Sequence, residues 1–273
     1  MISFQLLSCR VEVEHDDPRL AEVLRYADNC AQQPFPVRRT FRYHVIGRGP
    51  FLVQEEGDFL GEWESADDVL YIIYGRAYQR ALERFVLSGW VVLHGAVVGV
   101  KGSRMLLLGD RGAGKSTLSA RLLFSGHRVE GDELALERDT NVVAFPRQLH
   151  LKPGFEDHVP ELRSHGSGLR HTRSDLGTIS ALDPGRLGFD WQLEVGLIDQ
   201  VVLISPNHGG ETRMEPLPPF EMIQKLMSGA INWGDSPGAL VAAATRLGRQ
   251  GGWQLQLGDP DAGLRALETA ASA

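Results

Sequence analysis

GDRGAGKS, residues 109–116, decides the reading of this 273-residue chain. It matches the pattern G-x-x-x-x-G-K-[ST], which chance alone produces on the order of once per hundred chains at average composition. The apolar run Met105-Leu106-Leu107-Leu108 leads into it and reads as a strand. The segment after Lys115 carries Leu118, Leu122 and Leu123 on one face and reads as a helix ended by Gly126. Strand, glycine loop, helix is the order a phosphate cradle requires. Gly109, Gly112 and Gly114 let the main chain turn with its N–H groups pointing inward, and with the helix N-terminus these form an anion nest. Asp110, Arg111, Ala113 and Thr117 border the same nest. Lys115 is expected to reach β- and γ-phosphate oxygens, and Ser116 to place its hydroxyl on Mg²⁺. Only four of the 28 basic residues are lysines, and one stands here. A compact point charge suits this place better than the planar fork of arginine. The expected ligands are ATP and Mg²⁺; the bland alternative is a glycine-rich turn that only caps a helix.

Upstream, residues 90–98 and 104–108 form an expected hairpin about the Lys101-Gly102 turn. Downstream, a strand runs from Val129 to Asp132, with further strands at 134–137, 142–145, 148–151 and 200–204. Helical patterns cover 219–229, 236–248 and 260–270. Residues 153–190, rich in Gly, His, Arg and Ser and poor in periodicity, read as a long loop or lid. Nearer the N-terminus, residues 2–14 read as a strand or hairpin arm. Asp17 and Pro18 then open a helix through Leu20, Val23, Leu24 and Ala27, closed off by Pro34 and Pro36. Short antiparallel strands split by Gly47, Gly49, Gly57 and Gly61 follow. Asp67 or Asp68 is expected to cap a longer helix bearing Val69, Ile72, Ile73, Ala77, Ala81, Leu82 and Phe85, with Gly89 just past its end. This divides the chain into an α+β unit at 1–88, a candidate for partner recognition, and a phosphate-loop α/β domain at 89–273.

The formal charge of −7 does not favour nucleic acid. Cys9 and Cys30 are too few for a disulfide framework and lack metal spacing. No apolar run approaches the ~20 residues of a membrane helix, and the first residues lack the layout of a signal peptide. A reduced cytoplasmic setting is therefore expected. A homo-oligomer is compatible with this reading.

Two further features lie close to the loop in sequence. His94-Gly95 is on the strand before it, and Asp132-Glu133 ends the strand after the helix. In a parallel sheet that strand end falls beside the phosphate loop. An acidic pair there can hold Mg²⁺ or accept a proton from an attacking hydroxyl. The competing readings are a solvated turn for the pair and a satisfied structural imidazole for His94.

The run HGAVVGVKGSRMLLLGDRGAGKSTLSARLLFSGHRVEGDE, residues 94–133, resembles the core of bacterial HPr kinase/phosphorylase and its shorter relatives. The resemblance rests on His94-Gly95, the loop 109–116, Gly126-His127-Arg128 and the acidic pair. It is specific over about forty residues and extends over 90–273, with the N-terminal unit matching only loosely, and it implies an HPr-kinase-like phosphate-loop kinase domain acting on a serine of a peptide or small protein. It gives Lys115 a phosphate contact, Ser116 the metal, the second acid the role of base and His94 a place in the same site. The usual Asp-Asp pair is Asp132-Glu133 here, so which acid is the base stays open, with Asp132 also a metal candidate. The family's glycine-rich signature with its metal-binding glutamate is absent after 133. PRQLHLKPG at 146–154 stands there instead, similar to segments of shorter relatives that accompany peptide natural-product pathways.

Lys152, and with it Arg147, could clamp a γ-phosphate or an acidic acceptor, or be plain surface cations. Arg163, Arg170, His171 and Arg173 form a basic cluster in the long loop that could close over phosphates. The expected activity is transfer of the γ-phosphoryl group to a hydroxyl, on a peptide, a small protein or a small-molecule alcohol. The rival class is an ATP-binding switch that transfers nothing. Its usual downstream acid has one faint match in Leu197-Ile198-Asp199, but the apolar strand continues past it to Ile204.

Overall fold

The computed structural model describes residues 1–164, 169–174, 177–229, 237–249 and 251–272, without the side chains of 156, 164–179, 228 and 229. The N-terminal unit is a sheet of β1 (Ile2–Leu6), β2 (Cys9–His15), β3 (Arg39–Ile46), β4 (Phe51–Glu55) and β5 (Asp58–Trp63), side by side in that order. Helix α1 (Pro18–Leu24) is the crossover that lets β2 and β3 run parallel. Asp17 caps it as its sequence position suggests, but the helix stops at Leu24, where tight turns accept the amides of Tyr26 and Ala27.

Helix α2 (Ala66–Leu87) buries Val69, Leu70, Ile73, Ala77, Ala81, Leu82 and Phe85 along one stripe. Its N-cap is Ser65, not Asp67 or Asp68. The Ser65 hydroxyl accepts the Asp68 amide at 3.1 Å and donates to the Asp68 carboxylate at 2.6 Å. An extended residue outside the helix can aim its oxygen at the free N–H groups, and an acid already inside the first turn cannot. Gly89 follows the helix at φ +85°, in the left-handed region.

The second unit comprises β6 (Val91–Val100), β7 (Ser103–Leu108), α3 (Lys115–Phe124), β8 (Arg128–Gly131), β9 (Leu134–Arg138), β10 (Asn141–Ala144) and β11 (Leu149–Leu151). It continues through β12 (Leu169–Ser174), β13 (Gly177–Leu182), β14 (Gly196–Leu197), β15 (Gln200–Pro206), β16 (Arg213–Leu217), α4 (Pro219–Gly229), α5 (Pro237–Gly248), β17 (Gly252–Leu257) and α6 (Pro260–Ala270). The large sheet runs β14-β10-β9-β6-β7-β15-β17-β16, with β8 also paired to β6. The architecture is α/β, with β7, β15 and β17 parallel at its centre.

Three expectations are corrected. First, β8 is not the parallel neighbour of β7, because β6 lies between them, antiparallel to both. Second, 153–190 is not one loop. Strands β12 and β13 join β11 in a three-stranded sheet, and short 3-10 turns cover 155–157 and 160–164. Third, β16 and β17 escaped the pattern reading, although β17 pairs in parallel with β15 and completes the central sheet.

Strands β6 and β7 are buried on both faces, since Val97, Leu106 and Leu108 join one apolar cluster while Ala96, Val98, Met105 and Leu107 join another. The first cluster continues without interruption into the N-terminal unit, to Leu6, Leu24, Tyr43 and Ile73. The second packs α3 through Leu118 and Leu122 against β11 through Leu149 and Leu151, and against Leu267 of α6. Each fully buried Leu or Val contributes roughly 1.5–3 kcal/mol. No helix among the described residues is long and apolar enough to cross a membrane.

Candidate functional site

The glycine loop at 109–116 leaves the carboxyl end of β7, where open α/β sheets place their ligands. Gly112 and Gly114 adopt φ +89° and +96°, which side chains resist. Gly109 has no such angle; it is glycine for want of room, since a Cβ there would stand 2.4 Å from the Ile204 carbonyl oxygen on β15. Gly114 is the N-cap of α3, and Lys115 begins the helix. The Lys115 ammonium is buried and folds back to donate to the carbonyls of Gly109 at 2.6 Å and Asp110 at 3.1 Å. Burial pulls its pKa down, against the upward pull of Glu133 and Asp132.

Strand β6 ties three parts of the site in one row. Gly95 pairs with Leu108, the last residue of β7, and donates its amide to the Glu133 carbonyl at 3.0 Å. Asp132 and Glu133 are the two residues at which the chain breaks from β8 to β9, both antiparallel to β6, with a register shift beside the break. Interruptions of this kind re-aim side chains and recur near active sites.

The acids then diverge. Asp132 is 1% exposed, and neither of its carboxylate oxygens has a hydrogen-bond partner. Burial raises its pKa to about 6, against the pull of Arg147 and of the Ser116 hydroxyl, which stands near without completing a bond. Glu133 is partly open and ion-paired to Arg147 at 3.1 Å. The Arg147 guanidinium is disfavoured by burial but held firmly charged by Glu133 and Asp132. Burial, then Lys115, lowers the pKa of His94.

These groups line one cavity of about 810 Å³. The loop supplies Arg111, Gly112, Gly114, Lys115, Ser116 and Thr117, and the sheet supplies His94, Asp132 and Glu133. A further wall comes from Arg147, His150–Phe155 and His158. Of the residues singled out in the sequence, Lys152 reaches the cavity and is exposed there. Gly109, Asp110 and Ala113 support the loop from behind: Ala113 is buried and donates its amide to the Asp110 carbonyl at 3.1 Å.

Arg163 does not join the cavity and pairs with Asp157 at 3.3 Å. The side chains of Arg170, His171 and Arg173 lie outside the described residues. Asp199 sits at the far end of the central strands, accepting the Arg104 amide at 2.7 Å, away from the loop. His150, Phe155 and His158 were not singled out in sequence, though His150 lies in the quoted run 146–154.

No family model matches the chain. Among solved structures it is similar to the Hpr(Ser) kinase/phosphatase from Coxiella burnetii, at 11% identity, covering 65% of this chain and 94% of that one, with a TM-score of 0.31. It is a distant likeness.

A divalent cation fits the residues present. Two buried carboxylate oxygens without partners, beside a loop serine, are a costly arrangement that a cation would satisfy. No group of three or more His, Cys, Asp or Glu side chains suited to a metal occurs among the described residues.

Proposed function

We propose that the chain is an ATP- and Mg²⁺-dependent kinase that transfers the γ-phosphoryl group to a hydroxyl, a serine on a peptide or small protein. What carries this reading is the unpartnered, buried Asp132 carboxylate in the same cavity as Lys115, Ser116 and Glu133. A glycine turn that only capped a helix would have no use for such a carboxylate.

Loop amides and the α3 N-terminus hold the triphosphate, and Lys115 exchanges its two carbonyl partners for phosphate oxygens. Ser116 and Asp132 are the residues that would hold Mg²⁺, which would supply neutralisation of the phosphate charge. Glu133, oriented by Arg147, accepts the proton of the acceptor hydroxyl. The acceptor oxygen bonds to the γ-phosphorus as the bond to the β-bridging oxygen breaks, and ADP leaves. Lys115 and Lys152 stabilise charge on the transferred oxygens, so most of the rate gain is positional and electrostatic.

The test is transfer of labelled γ-phosphate from ATP to serine-containing peptides with Mg²⁺ present. Acid-stable label on peptide, lost with EDTA, supports the reading. Phosphate released only into water, with no labelled acceptor, favours the nucleotide switch instead.

A further inference from the structure

The kinase reading gives Arg147 and Lys152 a task but leaves His150, in the same wall, without one, and His150 is held from the N-terminal unit. The Tyr26 hydroxyl lies 2.9 Å from Nε2 of His150, and the two rings sit 5.1 Å apart. Tyr26 is buried, and His150 lines the cavity that holds Asp132 and Glu133.

The contact does not stand alone. The Gln148 side-chain amide donates to the Asp28 carbonyl, and Asn29 Nδ2 donates to the Pro146 carbonyl at 3.4 Å. The Cys30 amide donates to Asp183 at 3.0 Å, and Arg186 pairs with Asp28 at 2.5 Å. On the other side, Asn29 Nδ2 also reaches the Gln5 carbonyl of β1 at 3.2 Å, and Gln33 Nε2 reaches it at 2.7 Å. Residues 26–33 thus strap the N-terminal sheet to the stretch that carries Arg147 and His150.

Resting on the kinase reading for the reaction itself, we propose that His150 and Tyr26 form the acceptor subsite: His150 touches the incoming peptide, and Tyr26 positions His150. The chemistry of the wall fits such a ligand. A triphosphate calls for cations and amides, which the loop, Arg111 and Lys115 already supply. His150 is of the other kind, for burial and the nearby Arg147 charge keep it neutral. A neutral imidazole whose second nitrogen is fixed by a phenol offers one oriented hydrogen bond without charge, suited to a peptide amide or side-chain hydroxyl. Leu151 and Phe155, which also line the cavity, are buried in the apolar cluster behind it and fix the wall in place.

The test compares wild type, Tyr26→Phe and His150→Asn. MgATP affinity is read by calorimetry, transfer by labelling of a randomised serine-centred peptide pool, and the His150 tautomer by nitrogen NMR of the imidazoles. Both variants are expected to keep MgATP affinity within about twofold and to raise the apparent KM for the pool about tenfold, the loss of one oriented hydrogen bond. Tyr26→Phe is also expected to move the His150 nitrogen resonances, which general loosening would not do selectively.

Equal pool labelling by wild type and both variants overturns the subsite, as does a matching loss of MgATP affinity. Wild type that binds MgATP but labels no pool peptide overturns the peptide acceptor. Wild type that does not bind MgATP at all sinks the kinase reading beneath it.

Discussion

The Gly95 amide donates to the Glu133 carbonyl at 3.0 Å, and through this bond the acidic pair is held level with the start of the glycine loop. A side chain at 95 would spoil that alignment. Its Cβ would stand 2.8 Å from the Leu107 carbonyl oxygen and 2.6 Å from Cδ2 of Leu108. Gly95→Ala is expected to cost about 1–3 kcal/mol through overpacking and to lower transfer well beyond what partial unfolding explains. Urea titration beside a kinase assay separates the two losses.

Lys115→Ala removes a buried cation that donates to two carbonyls. Calorimetry is expected to find MgATP affinity weakened on the order of a hundredfold or more. The thermal midpoint of the ligand-free protein should hold or rise, because the desolvated ammonium is gone. Undiminished affinity would remove the phosphate-loop reading.

Asp132→Asn and Glu133→Gln are expected to part company. The first removes a buried carboxylate whose ionisation the fold resists, and should stabilise the ligand-free protein at pH 7 by about 1–3 kcal/mol while abolishing the Mg²⁺ dependence of nucleotide binding. The second leaves Arg147 without its ion-pair partner. It should destabilise by about 1–2 kcal/mol, less than a fully enclosed pair because Glu133 is 33% exposed. MgATP affinity should survive it and transfer should not. Equal, mild losses in both variants would end the case for general-base work at this pair.

Stability should also report the imidazoles. His150 and His94 are held below their ordinary pKa when folded, by burial first and by Arg147 and Lys115 second. Unfolded, each titrates near 6.5, so below that pH the unfolded chain takes up protons that the folded one refuses. Folding stability therefore falls as the solution is acidified through about pH 6.5, by up to about 1.4 kcal/mol per pH unit for each residue. His150→Asn should reduce that slope by one residue's share in urea titrations between pH 7 and 5. An unchanged slope would mean His150 is charged in the folded protein.

The loop and its flanking strand and helix were legible because a glycine pattern and an apolar face are local signals. The Lys101-Gly102 turn and Gly89 were readable for the same reason. The large sheet's order was not, because β17 looks like any short alternating segment until β15 is known to lie beside it. Strands β12 and β13 gave no periodic signal; they pair with one another, and β11, from earlier in the chain, joins them only on the β13 side. Of the residues lining the cavity, Lys115 and Ser116 were singled out by the loop pattern, Asp132 and Glu133 by their place after the helix, and His94 by the resemblance. The difference between the two acids could not be read that way, since it depends on which one Arg147 reaches. Tyr26 and His150, 124 residues apart, left no trace in sequence at all.

One apolar cluster passes from Leu6 and Ile73 to Val97, Leu136 and Ala243 without a boundary. Among the described residues, this cluster joins the N-terminal sheet to the α/β sheet with no seam between them for heat to open. The chain should melt in a single calorimetric transition, and a ligand gripped by the loop should raise the melting point of the first strands as much as that of the last helix.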